Sequence, residues 1–504
     1  MNDIQQADDA VVIIGSGAGG GTLAYELTKR GVPVVVLEAG PHLHNEDYVN
    51  DEWEAFGQMA WLDDRTTSGS WRIAKDFPNL PSWIVKAVGG TTTHWSGATP
   101  RFKAHEFLAR STYGRIDGAS LLDWPISLAD LAPHYDKAEI AMGSTHTHGR
   151  KPLPANNNYN VCANGAERVG YRHYSTGPYA TNAEEYDGRP ASIQDGFNFQ
   201  GHKNTSKWST LVREIPRALA TGLLDLRPDC HVVHITHDAK GRMDAVLYLD
   251  KDGNLQRQAA AMVAVAGNSI ETPRLLLMSA SPMFPDGLAN SERKVGRNYM
   301  RHTTGSVCAR FNDPVHMHCG ETMAGVIADE SRHDPDRGFA GGYYLETISL
   351  GPAFLASFVE PGAWGRGFTA TLDAYSNTAG LWVIGEDMPQ ESNRVTLNST
   401  VTDKNGLPVP DVNFDDHPND VAMRNHGYRQ AERVCEAVGS IGSRRGKPDP
   451  HDRRPHDRRP RHPPGRVHRR PAESRRNLNL SHPTACSTQK KEFYHDRQCD
   501  HLAL

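Results

Sequence analysis

The chain has 504 residues, enough for two or three domains with sizeable cores, and a formal net charge of -5. That charge is uneven: residues 443–504 carry about nine net positive charges and leave about fourteen negative ones on the body, an ordinary acidic protein with no reason to seek nucleic acid. Seven scattered cysteines without a CxxC pair, residues 1–6 without signal-peptide character and no apolar run of spanning length argue against a disulfide framework, a secretory leader and a membrane span. The expected location is cytoplasmic, or periplasmic only in the company of an exported partner.

The first element is Val11-Val12-Ile13-Ile14, an apolar run of strand length that meets Gly15-Ser16-Gly17-Ala18-Gly19-Gly20. Leu23, Ala24 and Leu27 follow at helical spacing, and then Val34-Val35-Val36-Leu37 ends in Glu38. Strand, glycine turn, helix, strand and acid make a dinucleotide-binding βαβ unit. Gly15 permits the tight turn, Gly17 lets backbone approach a pyrophosphate, and Gly20 lets helix and sheet pack closely. The pyrophosphate is expected at the positive end of the helix dipole. Glu38 suits the hydroxyls of a ribose diol and argues against a 2′-phosphate. Residues 48–83 are polar and aromatic with little periodicity, either a loop and short helix over a ligand or a surface connection. Next comes Gly89-Gly90-Thr91-Thr92-Thr93-His94-Trp95-Ser96, where two glycines and a hydroxyl run suit phosphate and the polar edge of a flavin ring.

Together the opening βαβ unit and the segment around His94 resemble the glucose-methanol-choline (GMC) oxidoreductases. More narrowly they resemble the flavoprotein subunits of bacterial gluconate and sugar dehydrogenases, and the pyranose oxidases. The resemblance implies FAD as cofactor, bound by Gly15, Gly17, Gly20, Glu38, Gly89, Gly90, Thr92, His94, Ser96, Val232, Ala266 and Gly267. In several relatives the histidine in the place of His94 is bonded covalently to the flavin methyl edge; here a place beside the flavin is expected and the bond is left open. Ser96 matches a hydroxyl residue near the hydride-accepting flavin nitrogen.

Further along, residues 121–142 carry Ser127 as an N-cap followed by apolar residues at helical spacing. His146-Thr147-His148 reads as a surface loop without a third metal ligand. The segment from Gly196 to His202, with Lys207-Trp208-Ser209-Thr210 and a helix over 211–219, corresponds to the substrate side of relatives. Val232-Val233-His234-Ile235, a turn at Gly241, Ala245-Val246-Leu247-Tyr248 and a turn at Gly253 predict a three-stranded meander. In the family the residue at Val232 offers backbone contacts to adenine. Met262-Val263-Ala264-Val265 then predicts a buried strand closing on Ala266 and Gly267, and a helix with Pro273 in its first turn follows. Asn268 and Ala280 depart from the family pattern there. Residues 295–302 match a loop beside the cofactor, with His302 structural. Short apolar strands over 305–384 suit an antiparallel substrate-domain sheet, and His316-Met317-His318-Cys319 is expected on one of them, its side chains pointing alternately to opposite faces.

The resemblance continues through a helix over 421–438 and stops at about residue 442. In relatives the next segment carries the catalytic histidine, and a closing stretch its His or Asn partner. Here residues 443–476 are dominated by Arg, Pro and His, with a near-perfect repeat of His-Asp-Arg-Arg-Pro. Such a segment is expected to be disordered. It reads as a basic tail, as a solvated extension or, the favoured reading, as the product of a reading-frame shift near Ser443. The expected organisation is an α/β FAD-binding, Rossmann-like domain in two pieces (1–120 and 226–304) and a mixed cap or substrate-side segment (121–225). An α+β substrate domain built on an antiparallel sheet (305–390), a truncated C-terminal family segment (391–442) and the tail (443–504) complete it. The expected function is oxidation of a CH–OH group of a sugar, polyol or aldonate, with electrons passing to a small subunit, a cytochrome, a quinone or oxygen. No catalytic residue and no metal ligand is assigned, and the alternatives are a non-catalytic flavin-binding remnant and a nicotinamide-dependent dehydrogenase.

Overall fold

Four-residue runs of Val, Ile and Leu favour extended backbone and fill both faces of a sheet, as buried parallel strands require. β1 (Val11–Ile14) accordingly lies between β2 (Val34–Leu37) and the strand Met262–Val265, parallel to both, with Leu224–Arg227 on the far side of β2. Ile13, Val34 and Val36 pack on the side of α1 (Ala18–Thr28) and the helix Glu214–Ala220, in one core with Val88 and Ile215. Val12, Ile14, Val35 and Leu37 pack in a second core with Val232, Ile235, Val246 and Leu275. That core includes the expected meander, His231–His237, Met243–Leu249 and Leu255–Ala259, and the helix Glu271–Met278.

In this computed structural model the described residues are 10–52, 54, 60–61, 67–69, 83–359 and 364–446. All belong to one compact unit, Met1–Pro448. Most of the 48–83 stretch and the tail from residue 447 lie outside them.

A six-stranded antiparallel sheet forms the other half of the unit. Its main strands are Thr303–Arg310, Tyr343–Thr347 and Thr378–Gly385, within the expected 305–390 segment but for the first two residues. Its outer strands come from elsewhere: Tyr174–Ser175 at one edge and Gly442–Arg445 at the other. The second strand corrects the expected boundary at residue 443, because Val307 and Ala309 pair with Arg445 and Ser443, so the ordered chain runs past it. One face of the sheet carries Val307, Leu345, Leu381 and Val383 against the helices Asn157–Arg168 and Pro418–Ala437. The opposite face turns Cys308 and Trp382 toward Phe199, Ile348 and Phe354.

The helix Leu128–Met142 starts as expected, with Ser127 accepting from the Asp130 N–H at 3.3 Å. The expectation for residues 316–319 is overturned: they form a turn, with His316 at φ 52 and Met317 fully buried. An apolar residue between two histidines imitates strand alternation, but the left-handed backbone at His316 prevents a strand.

Candidate functional site

The 15–20 loop and the 89–93 turn approach each other over the start of α1. Gly15 has φ +97, and a Cβ there would lie 2.7 Å from the Ala266 carbonyl oxygen. A Cβ on Gly20 would overlap the Gly15 carbonyl, and one on Gly90 (φ +53) would lie 2.9 Å from the Gly17 Cα. Above Gly17 itself a Cβ would meet only Gly90, at 3.9 Å, so this backbone borders open space. The result is a cleft of about 350 Å³. Among the expected residues, Gly15, Gly17, Glu38, Gly90, Thr92, Val232, Ala266 and Gly267 line it. Gly20 lies beneath it as a packing position, Gly89 begins the turn behind it, and His94 and Ser96 follow that turn outside the cleft lining.

Ser16 ties the two loops together. Its hydroxyl donates to Glu38 Oε2 at 2.7 Å and accepts the Gly89 N–H at 3.1 Å, while its own N–H donates to the same carboxyl oxygen at 2.9 Å. Glu38 Oε1 accepts the Gly40 N–H at a long 3.2 Å, and the carboxyl borders the cleft, where an oxygen with two lone pairs can accept further bonds. Burial pushes the Glu38 carboxyl up, against the lowering effect of the Ser16 bonds. Thr210 braces the back, its hydroxyl donating to the Ser16 carbonyl at 2.8 Å and its N–H to Thr92 Oγ1 at 3.3 Å. Sequence reasoning assigned no role to Ser16, placed Thr210 on the substrate side, and missed Lys86 and His231, which also line the cleft. Asn268, the departure from the family pattern, accepts the Ile270 and Glu271 N–H groups at 2.9 Å and starts the following helix.

His94 is fully buried. Its Nδ1 lies 2.6 Å from the Phe199 carbonyl oxygen, which can only accept, so Nδ1 carries the proton and Nε2 the lone pair. Nε2 is buried without a hydrogen-bond partner among the described residues. Burial, with the nearby Lys207 ammonium, pushes the imidazole down to about 4 and keeps it neutral. Lys207 is itself buried and donates to the carbonyls of Thr93 (3.1 Å), Trp95 (2.7 Å) and Asn198, strapping both sides of His94. Burial pushes this ammonium down to about 7. The Ser96 carbonyl is held by Tyr179 Oη and by Asn198 Nδ2 at 2.9 Å.

The histidine loop at 146–148 meets two carboxylates that spacing alone did not suggest. Asp136, Glu139 and His148 converge within 4.8 Å, but the Arg101 guanidinium reaches Asp136 at 2.7 Å and Glu139 at 2.6 Å and supplies the positive charge there.

Comparison with known proteins bears on this geometry. The chain is 31% identical over 459 residues to the 2-methyl-1,2-propanediol dehydrogenase of Mycolicibacterium austroafricanum, an alignment covering 86% of this chain and 81% of that one. The chain belongs to the GMC oxidoreductase family. Family models for GMC oxidoreductases match residues 83–304 and 389–485, the second running past residue 442, the expected end of the resemblance. A model for NAD(P)-binding Rossmann-like domains matches residues 13–55. The chain is also 26% identical to the fructose dehydrogenase large subunit of Gluconobacter japonicus (82% of this chain, 80% of that one). Identity to the gluconate 2-dehydrogenase flavoprotein of Pantoea cypripedii is 25% (87% and 80%). An Aspergillus oryzae formate oxidase structure shares the fold, with TM-score 0.54 at 15% identity over 85% of this chain and 81% of that one. The cofactor of this GMC oxidoreductase is FAD. The cleft fits it: glycine backbone borders the start of α1 and an acid able to accept further bonds closes β2, while just beyond the lining His94 Nε2 lacks a hydrogen-bond partner among the described residues. No helix among the described residues is long and apolar enough to cross a membrane.

Proposed function

We propose that this chain holds FAD with its diphosphate over Gly15, Gly17 and the N-terminus of α1, its adenosine between Glu38, Val232, Ala266 and Gly267, and its flavin end beside Gly90, Thr92, His94 and Ser96. The observation that carries this reading is the close approach of Gly90 to Gly17, which leaves one continuous cleft from Glu38 to Thr92. FAD, when bound, supplies the two-electron oxidant that takes a hydride from an alcohol carbon. Glu38 accepts the ribose hydroxyls, and the free N–H groups at the start of α1 face the diphosphate charge. His94 presents a neutral nitrogen lone pair toward the flavin, the protonation state that a covalent attachment also requires. Lys207 and Tyr179 hold the 93–96 loop in place.

The substrate is an alcohol or sugar whose CH–OH group is oxidised. The relatives named for a diol, for fructose and for gluconate support that class. A small subunit or cytochrome receiving the electrons is proposed from the relative named as a large subunit. The reaction also needs a base for the hydroxyl proton. In relatives it is a histidine C-terminal to the position of residue 442, where this chain is rich in Arg, Pro and His. Flavin loading without turnover is therefore the second reading.

Purified full-length chain tests both. Flavin absorbance at one FAD per chain with dye reduction by a diol or hexose supports the dehydrogenase. A yellow chain inert to all of them supports the second reading, and a chain that takes up no FAD overturns both. Translating the other two frames of the encoding DNA downstream of Ser443 tests the frame shift, which fails if no histidine-bearing family string appears.

A further inference from the structure

An ion pair stands on the wall of the cleft, at the Glu38 end. Lys86 is the one cationic side chain among the described residues that line the cleft, and Glu271 lies 3.2 Å from its ammonium. Two backbone contacts fix the place. A Cβ on Gly40, two residues past Glu38, would overlap the Lys86 carbonyl, and the Cys230 N–H donates to the Glu38 carbonyl at 2.8 Å, which brings His231 to the same end. Glu271 opens the helix Glu271–Met278 just beyond Ala266 and Gly267. Both side chains stay in touch with open space, 35% exposed for Lys86 and 21% for Glu271.

The acid is braced from behind. Glu271 Oε2 accepts from the Arg274 guanidinium at 3.2 Å, and that guanidinium, 3% exposed, donates also to Asp403 at 2.7 Å and to the Pro408 carbonyl at 2.8 Å. Against its burial, the Lys86 and Arg274 charges hold the Glu271 carboxyl below its usual range, so near pH 7 it only accepts. The Lys86 ammonium has three N–H groups and meets only Glu271 among the described residues, which leaves it donors to spare. His231 adds no charge, because burial and the Lys86 ammonium push its imidazole down to about 4. A fixed acceptor beside a donor with spare N–H groups matches a ligand edge on which a donor adjoins an acceptor.

We propose that Lys86 and Glu271 read the base of the dinucleotide and select adenine, Glu271 accepting from the N6 amino group and Lys86 donating to N7. The inference rests on the FAD assignment and on adenosine lying between Glu38 and Val232. Adenine shows that donor and acceptor side by side, whereas guanine and hypoxanthine put an oxygen acceptor where the amino group stands. Against either of them the Glu271 carboxylate would face a second acceptor, with no hydrogen between them and its own bond unmade. A contact of Lys86 with the diphosphate would instead be blind to the base, and the two possibilities separate in binding.

The test loads the full chain, made in riboflavin-limited cells, with FAD and with flavin dinucleotides whose base is 7-deazaadenine or hypoxanthine. Flavin per chain after gel filtration, followed against flavin concentration, gives each half-saturation point. The native chain is expected to take up FAD at concentrations at least tenfold below either analogue. Lys86→Met should lose at least tenfold for FAD and close the gap to the 7-deaza analogue to within threefold, since the nitrogen that analogue lacks is then unread. Glu271→Gln, whose amide can give a proton to the oxygen of hypoxanthine, should close the gap to that analogue and leave the 7-deaza gap open. Equal native uptake of FAD and both analogues overturns the inference alone, and so does a Lys86→Met chain that loses all three dinucleotides by one factor, the mark of a phosphate contact. A Glu271→Gln chain that melts lower with both gaps unchanged assigns Glu271 to holding Arg274 and overturns it too. Where that chain fails to fold, the Lys86→Met result decides, because Lys86 has no partner but Glu271 among the described residues. A native chain that takes up no flavin overturns the inference together with the FAD assignment.

Discussion

Ser16→Ala tests whether the two glycine loops are held as one unit. The Ser16 hydroxyl is fully buried and makes two bonds that alanine cannot replace. The bond to Glu38 involves an acid and is worth about 1.5–3 kcal/mol, and leaving the Gly89 N–H without a partner costs about 1–3 kcal/mol. The Ser16 N–H stays on Glu38 at 2.9 Å, which brings the expected loss to the bottom of the combined range, about 3 kcal/mol. For a chain of this size that lowers the melting temperature by roughly 3 °C, since the unfolding entropy grows with length. The loss falls on the cleft, so FAD retention should fall further than overall stability. Near-UV circular dichroism gives the melting temperature, and absorbance after gel filtration gives FAD per chain. A Ser16→Ala chain that melts within 1 °C of the native one and keeps its full FAD complement would refute the idea that this hydroxyl couples the loops.

Gly15→Ala should yield a colourless chain, because the methyl would meet the Ala266 carbonyl at 2.7 Å on a left-handed backbone; normal FAD content would show that the strand end can shift. Lys207→Met removes the donor from the Thr93, Trp95 and Asn198 carbonyls, and FAD content should drop while the far-UV spectrum stays native; an unchanged flavin spectrum argues against the strap. His94 is held near 4 in the fold and titrates near 6.5 when unfolded, so between those values the unfolded chain binds more protons and stability is lost as pH falls. The full effect is about 3 kcal/mol. The melting temperature of His94→Asn should therefore fall less than that of the native chain between pH 7 and pH 4.5, and parallel curves would contradict the neutral assignment.

Residues 11–38 were legible because every local signal agrees: β-branched runs where strands form, glycine where a Cβ would collide, an acid at the end of β2. The meander and the helices led by Ser127 and Glu271 were legible for the same reason. The edges of the antiparallel sheet were not. Tyr174–Ser175 is too short to show a period of two, and its partners Val326 and Ile327 lie about 150 residues on. Gly442–Arg445 carries charge where a strand reader looks for alternation, yet it extends the ladder beside Thr303–Arg310 and places the Arg445 guanidinium on Glu432 at 2.8 Å.

The site divides along the same line. Glycines announce backbone requirements, and backbone requirements are local, so the glycine turns that border the cleft could be read from the sequence, while Lys86 and His231 could not. Ser16, Lys207 and Thr210 act through side-chain partners between 9 and 194 residues away, and a serine, a lysine or a threonine in a string of letters reads first as a surface residue. Lys207 illustrates the physics. In sequence it stands on the stretch likened to the substrate side of relatives, but the fold buries its ammonium against three backbone carbonyls. Burying that charge lowers its proton affinity, and His94 is kept neutral first by its own burial and then by the Lys207 charge, so one lysine both straps the loop around His94 and adds to the force that keeps it uncharged.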